Sequence, residues 1–379
     1  MKLPILKEAK VFGKRVFLRA DLDVPLAKFE IRNSKFEIGI EDDTRLVAGL
    51  PTIEYLLKHG AKVIIGGHLG RPIGVDKSLS LEPVAMWLNC HPEFISGSQG
   101  MLKQVQHDTT KTKLGEFDGW RINESIFLLE NLRFYKGEED PSTGSGLEFA
   151  KKLARLADIY VNDSFAASHR VHASIVGAPE YLPHFAGLRL QKEVEVLSEI
   201  LENPKRPLVV IIGGAKMETK LPLVEKMHRI ADYVLIGGKI AKEVETLSKI
   251  KNNYTKKKHA VLVIGELNKD KTDVSNKSVK EFLEIIKNAG TVVWNGPVGK
   301  ISNIKYQISN KDSEYGTLKL AEGIVKSKAY SVVGGGDTVA FLKGLKLLDR
   351  FSFVSTGGGA MLAFLSGEKL PGLAALAKT

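Results

Sequence analysis

The sequence predicts an α/β protein built from two doubly wound, Rossmann-like parallel-sheet domains. Short β-branched apolar runs recur along the chain, and helical stretches separate most of them, the pattern of a parallel sheet with helices on its faces. The alternation breaks once, near residues 179–200. With 379 residues, 43% of them hydrophobic, the chain can bury more than one core.

The first strand is predicted over 14–20 and runs into Asp21-Leu-Asp-Val-Pro25. Residues 27–41 repeat Lys-Phe-Glu-Ile and read as a hairpin or loop. Asp42-Asp-Thr44 caps a helix from Arg45 to about His59, which Gly60 ends. A strand over 61–66 leads into Gly67-His-Leu-Gly-Arg-Pro72, and 80–88 is helical. Residues 89 to about 120 lack a pattern and read as an irregular insertion. A strand over 126–130, a polar loop over 137–146, a helix over 148–156 and a strand over 159–162 complete the first half. Residues 163–174 are turn-rich, 179–183 reads as a linker, and 188–202 as an amphipathic helix ended by Asn203-Pro204. Strands then recur at 208–212, 233–236, 260–264, 291–294, 330–333 and 351–354, with helices between.

Ligands of such sheets bind beyond the carboxyl ends of the strands. In the first half those ends carry Asp21 and Asp23, then His68 and Arg71, then Arg133, then Asp163 with His169, Arg170 and His172; Arg45 starts the first helix. Four converging guanidinium groups repel one another unless an anion sits among them, so a small polyanion is one reading. The other pairs each arginine with an acid: Asp21, Asp23, Asp43, Glu130 or Asp163. The histidines lack any zinc-binding spacing.

The second half presents glycines instead: Gly213-Gly-Ala-Lys216, Gly237-Gly-Lys239, Asn295-Gly-Pro-Val-Gly299, Gly334-Gly-Gly-Asp-Thr338 and Ser355-Thr-Gly-Gly-Gly-Ala360. Bare turns of this kind offer backbone N–H groups to phosphates, the more so at a helix start. In 208–220, Lys216 and Lys220 lie four apart and would share a helix face. That stretch reads either as a phosphate cradle or as an ordinary strand-to-helix turn with two surface lysines. Asp337 is the natural ligand for the Mg²⁺ of a nucleotide. An anion site on one half and a nucleotide site on the other imply a two-lobed kinase for a small acidic metabolite.

The net charge of +11 fits nucleic acid, anionic metabolites or mere solubility, and no aromatic-interleaved basic patch marks a nucleic-acid binder. One cysteine, Cys90, excludes a disulfide framework within the chain. No signal-peptide pattern and no apolar run of membrane-spanning length occurs. The expectation is a soluble cytoplasmic protein with small-molecule partners, no membrane and no nucleic acid.

The motifs Arg19-Ala-Asp-Leu-Asp-Val-Pro25, Asp42-Asp-Thr-Arg45, His68-Leu-Gly-Arg-Pro72, Leu129-Glu-Asn-Leu-Arg-Phe134, Val161-Asn-Asp-Ser-Phe165, His169-Arg-Val-His172 and Val293-Trp-Asn-Gly-Pro297, with the glycine corners above, occur in that order along nearly the whole chain. In this the sequence resembles phosphoglycerate kinase. The resemblance implies a 3-phosphoglycerate domain over 1–180, a nucleotide domain over 181–361 with a hinge helix at 188–202, a tail (362–379) packing back on the first domain, and a monomer. It implies substrate contacts from Asp21, Leu22, Asp23, Arg45, His68, Leu69, Gly70, Arg71, Arg133 and Arg170. Nucleotide contacts would come from Gly213, Ala215, Lys216, Lys220, Asn295, Pro297, Gly335, Gly336, Asp337 and Thr338, with Asp337 on Mg²⁺ and ATP or ADP as co-substrate. Arg45, Lys216, Gly336 and Gly358 would stabilise the moving phosphoryl group.

The chain departs from the family at several places. Asp23 stands where Asn is usual, which adds a negative charge beside an anionic substrate unless an arginine offsets it. Lys300-Ile-Ser302 replaces a segment whose Glu holds the ribose; Glu314 is a candidate substitute. Residues 265–277 are shortened, retaining Asp273-Val-Ser-Asn276, and Lys239 replaces a glycine. Residues 89–113 have no counterpart. These departures, with the basic charge, leave one alternative: a non-catalytic relative acting as a basic anion- or nucleic-acid-binding module.

Overall fold

The structure is a computed structural model and describes residues 3–31, 35–90, 110–214, 220–241, 260–299, 301 and 315–377. Two compact units result: Met1–Glu193 with Lys369–Thr379, and Val194–Glu368. The helix at 188–202 belongs to both, six residues to the first unit and the rest to the second.

The first unit is a seven-stranded sheet in the order β5-β6-β7-β4-β1-β8-β9. The strands are β1 (Arg15–Arg19), β4 (Lys62–Gly66), β5 (Thr110–Leu114), β6 (Phe117–Arg121), β7 (Ile126–Leu129), β8 (Ile159–Asn162) and β9 (His184–Ala186). Its central strands are parallel. A separate antiparallel hairpin of β2 (Leu26–Ile31) and β3 (Lys35–Ile40) realises the hairpin expected over 27–41. Helix α1 (Thr44–Lys58) follows, its start tied by Asp42, whose Oδ1 accepts from the Thr44 backbone N–H and hydroxyl. Gly60, at φ +73°, reverses the chain into β4. Helices α2 (Glu82–Asn89) and α3 (Gly144–Arg155) complete the crossovers.

Two expectations fail here. Residues 110–121, expected to be irregular, form β5 and β6, which pair antiparallel with each other and with β7. The alternating Thr-Lys-Thr-Lys of β5 disguises it, but Phe117 and Trp120 of β6 are buried. Residues 91–109 of that segment lie outside the described residues. The linker expected over 179–183 is part of a 3₁₀ turn (Ala178–Tyr181) leading into β9, which pairs with β8 and ends the sheet. So the chain remains in the first core until it enters α4 (Leu188–Glu202).

The second unit is a six-stranded parallel sheet ordered β12-β11-β10-β13-β14-β15. Its strands are β10 (Leu208–Ile212), β11 (Tyr233–Ile236), β12 (Val261–Ile264), β13 (Thr291–Asn295), β14 (Tyr330–Gly334) and β15 (Phe353–Val354). All five residues of β10 and of β13 are buried, as continuous apolar central strands must be. The described helices are α5 (Leu221–Ile230), α6 (Asn276–Lys287), α7 (Tyr315–Lys326), α8 (Gly336–Gly344) and α9 (Gly358–Ser366). The last helix, α10 (Pro371–Leu376), lies in the first unit, where Gly372 N–H bonds Ser168 O at 2.8 Å and no side chain would fit against Ile175 and Ser168. No helix among the described residues is long and apolar enough to cross a membrane.

Because Trp120 is only 1% exposed, Trp120→Ala is expected to destabilise the protein by about 3–5 kcal/mol, read from the urea unfolding midpoint. A detached insertion would instead give a change within about 0.5 kcal/mol.

Candidate functional site

Each sheet reverses direction once. The chain runs outward from β1 through β4 to the edge strand β5, then returns through β6 and β7 and crosses to β8 on the other side of β1. In the second unit it runs from β10 to β12, then returns to β13 beside β10. These switch points are where α/β sheets bind ligands, and the predicted site residues collect there.

In the first unit the strand ends gather a cationic cluster. Arg19, fully buried, ends β1; its Nε donates to Ser174 Oγ (2.8 Å), its Nη1 to Ala20 O (2.5 Å), and its Nη2 contacts His68 Nδ1 at 2.8 Å. Burial foremost, then Arg19, Arg133, His172 and Arg45, hold His68 well below the usual imidazole pKa. His172 is pushed down to about 3, by burial first and then by Arg19, Arg133, Arg170 and His169. His169 is lowered by burial and by Arg170 and Arg71. Burial followed by the charges of Arg170 and Arg19 also lowers Arg133, against the pull of Glu139 and Asp23. Thus Arg19, Arg45, Arg71, Arg133 and Arg170 and the three histidines share one electrostatic neighbourhood.

The alternative reading, in which each arginine pairs with an acid, holds for only some of them. Arg45 Nη1 lies 3.3 Å from Asp21 Oδ1 and 3.7 Å from Asp23 Oδ2. Arg133 Nε forms an ion pair with Glu139 Oε1 at 3.0 Å without hydrogen-bond geometry, and its Nη1 donates to the Gly70 carbonyl. Arg71 and Arg170 have no ion pair among the described residues. Glu130 and Asp163, two candidate partners, bond elsewhere. Glu130 accepts from the backbone of Leu81 and Asn131 and pairs with Lys111. Asp163 accepts from the backbone of Arg189 and Leu190 in the first turn of α4. Burial still raises its carboxyl to about 7.

Asp23 is accommodated. Its Oδ1 accepts from Gly70 N–H at 2.9 Å, and Arg45 offsets its charge. Gly70 itself needs its φ of +62°, since a side chain there would strike Leu79. Leu22 and Leu69 are buried in the core, 4% and 2% exposed, so only their backbone is available to a ligand. Asp21 Oδ2 is buried without a hydrogen-bond partner.

In the second unit, Gly213 N–H bonds Asn295 O (3.0 Å) and Gly214 N–H bonds Pro297 O (2.7 Å), fastening the ends of β10 and β13. A side chain on Gly213 would collide with the Pro297 carbonyl. Lys220 is buried rather than at the surface. It precedes α5, which starts at Leu221 with Pro222 in its first turn. Its Nζ donates to Asn295 O (3.1 Å) and Oδ1 (2.9 Å), leaving one of three N–H donors. Burial lowers its pKa to about 8, opposed by the charge of Asp337. Helices α8 and α9 start side by side: a Cβ on Gly358 would lie 3.0 Å from Gly335 Cα and 3.6 Å from Gly336 N. Two positive helix ends therefore meet at these glycines. Asp337 is exposed in the first turn of α8, and the buried Thr338 hydroxyl has no partner. Asp273 is buried and accepts from Gly316 N–H (2.9 Å) at the start of α7; Lys239 is exposed. Ala215, Lys216, Lys300, Ser302 and Glu314 lie outside the described residues.

Sequence reasoning passed over Arg19, Glu138 and Ser174. Arg19 carried a signal, a charge directly after the buried Val16-Phe17-Leu18. Glu138 carried none, because nothing in Gly137-Glu-Glu-Asp140 distinguishes the fully buried Glu138 from its exposed neighbour Glu139.

A cationic strand-end cluster on one α/β unit and paired helix N-termini on another define a small-molecule phosphotransferase. A sequence model of the family described as phosphoglycerate kinase matches residues 6–261 and 243–368. The chain is similar to a phosphoglycerate kinase of Dictyoglomus turgidum, 37% identical over 98% of this chain and 97% of that one. It is 36% identical to one of Leptospira biflexa, over 99% and 98%. Among solved structures, that of the Coxiella burnetii phosphoglycerate kinase superposes with TM-score 0.73 at 32% identity, covering 100% of this chain and 99% of that one. The Pyrococcus horikoshii enzyme gives TM-score 0.71 at 28% identity, covering 99% and 98%. The chain belongs to the phosphoglycerate kinase family. It is a kinase, and nothing supports the non-catalytic alternative.

Since Lys220 has a lowered pKa when folded, the unfolded chain keeps this proton to higher pH. Stability from this group is therefore lowest below about pH 8 and rises towards the unfolded value near 10.5. Lys220→Met is expected to abolish that rise when urea midpoints of both proteins are compared at about pH 7 and about pH 10.

Proposed function

We propose that the chain transfers a phosphoryl group reversibly between 1,3-bisphosphoglycerate and Mg-ADP, giving 3-phosphoglycerate and Mg-ATP. In this reading the first unit binds 3-phosphoglycerate through Asp21, Asp23, Arg45, His68, Arg71, Arg133 and Arg170. The observation that carries it is the mutual repulsion within that cluster, with Arg71 and Arg170 lacking an ion-pair partner among the described residues. A ligand bearing both a carboxylate and a phosphate relieves that repulsion.

The second unit takes the nucleotide. Lys220 offers its remaining N–H to a phosphate, Thr338 its unpartnered hydroxyl, and Asn295 holds Lys220 in place. Lys216 acts on the transferring group together with Arg45 and the N–H groups at Gly336 and Gly358. Mg²⁺ fits the donors present: an exposed carboxylate, Asp337, suits an ion that binds one or two carboxylates and completes its shell with phosphate oxygens and water. When bound, it would neutralise charge on the nucleotide phosphates. An acyl phosphate is already a reactive donor, so these residues need supply no general base. Positioning and charge neutralisation provide the rate. A monomer in the cytoplasm is part of this reading, and the single exposed thiol, Cys90, suits a reducing compartment.

Turnover of ATP with 3-phosphoglycerate, followed by coupled assay across a panel of Mg-nucleotides, tests the proposal; no turnover with any of them would sink it. Lys216→Ala is expected to lower kcat about 10²–10³-fold, the worth of an electrostatic contact made in the transition state. A drop confined to KM would show that Lys216 only binds the nucleotide.

A further inference from the structure

We infer that Arg19 is a positioning residue that holds His68 in its Nε2–H tautomer, with Glu138 as the buried counter-charge and Ser174 as the bridge between them. Every polar hydrogen of a guanidinium is a donor, and it has no acceptor. The 2.8 Å contact between Arg19 Nη2 and His68 Nδ1 therefore requires a bare Nδ1 lone pair. A neutral imidazole with a bare Nδ1 carries its proton on Nε2, which becomes a donor.

The bonds behind Arg19 run in one direction. Arg19 Nε donates to Ser174 Oγ at 2.8 Å, and that hydroxyl donates onward to Glu138 Oε1 at 2.6 Å. Ser174 N–H donates to Glu138 Oε2 at 2.9 Å. Arg19, Ser174 and Glu138 are all fully buried. A buried cation needs a compensating charge, and Glu138 supplies it through the hydroxyl without touching His68. Tyr160 adds support, its hydroxyl donating to Ser174 O at 2.8 Å.

The consequence for the reaction rests on the reading of His68 as a substrate contact. The groups that act most strongly on His68 besides burial are Arg19 from β1, Arg133 from the turn after β7, His172 from the loop before residue 173, and Arg45 from α1. Like burial, each of them favours the neutral ring. Only the Nε2–H tautomer then offers a hydrogen to an anionic ligand; the other would present a lone pair and repel it.

The test is long-range ¹H–¹⁵N correlation on ¹⁵N-histidine-labelled full-length protein, with His68→Gln to assign the signal. Wild type is expected to show His68 as the Nε2–H tautomer, still neutral where an ordinary imidazole has become protonated. A protonated Nδ1, or titration near the ordinary imidazole pKa, would overturn the inference, whatever any variant does. Arg19→Met is expected to give a tautomer mixture, a new acidic limb in kcat/KM, and about a tenfold higher KM for the acidic substrate, with kcat less affected. Arg19→Lys, which keeps a donor and a charge, is expected to restore part of the tautomer preference. An unchanged His68 signal in Arg19→Met would contradict the inference. Intact wild-type tautomerism without turnover would instead count against the substrate reading alone.

Discussion

The arrangement of the first unit depends on the repulsion among five arginines drawn to one edge of a sheet. Left alone, such a cluster would push its members into solvent. The fold counters it in graded fashion. Arg19 is buried completely and balanced through Ser174 by Glu138. Arg45 is partly balanced by Asp21 and Asp23, and Arg133 by Glu139 and a backbone carbonyl. Arg71 and Arg170 have no such counter-charge among the described residues. The histidines contribute no further charge, because burial and the arginines keep them neutral. What remains is a rim whose unspent positive charge sits where a ligand can use it.

The second unit reaches the same end by different means. Its anion-binding groups are chiefly backbone: glycine corners at the strand ends and two helix starts in contact. The buried lysine among them, Lys220, is held by Asn295 and has a lowered pKa through burial. Partial charges on N–H groups need no counter-ion, so this edge can be densely packed without the acidic partners that the first unit requires. Arginine forks offer bidentate geometry suited to a small, rigid acid, whereas backbone donors follow the chain of a polyphosphate.

Much of this was legible in the sequence, and the parts that were not share a cause. The central strands of both sheets are buried almost throughout, so each has an apolar core of several residues. Edge strands lack that mark. β5 is Thr-Lys-Thr-Lys-Leu, and its pairing with β6 is visible only once β7 is in place. β9 is three residues long and exists because β8 lies beside it. Asp163 shows the same limit for a polar residue. Its place in a turn rich in His and Arg suggested an ion pair, yet it caps α4, whose first turn comes more than twenty residues later.

By itself the sequence determined which residues could do chemistry and where along each strand they would fall. Local patterning governs both, since strand periodicity and glycine turns act over a few residues. It also determined the family, through motifs whose order spans the chain. Only the tertiary structure decided the state of each group. Whether Glu138 or Glu139 is buried, which nitrogen of His68 is bare, and whether Lys220 lies in solvent or against Asn295 all depend on atoms brought together from distant segments. Burial and charge act through space, and neighbours in space are not neighbours in the chain.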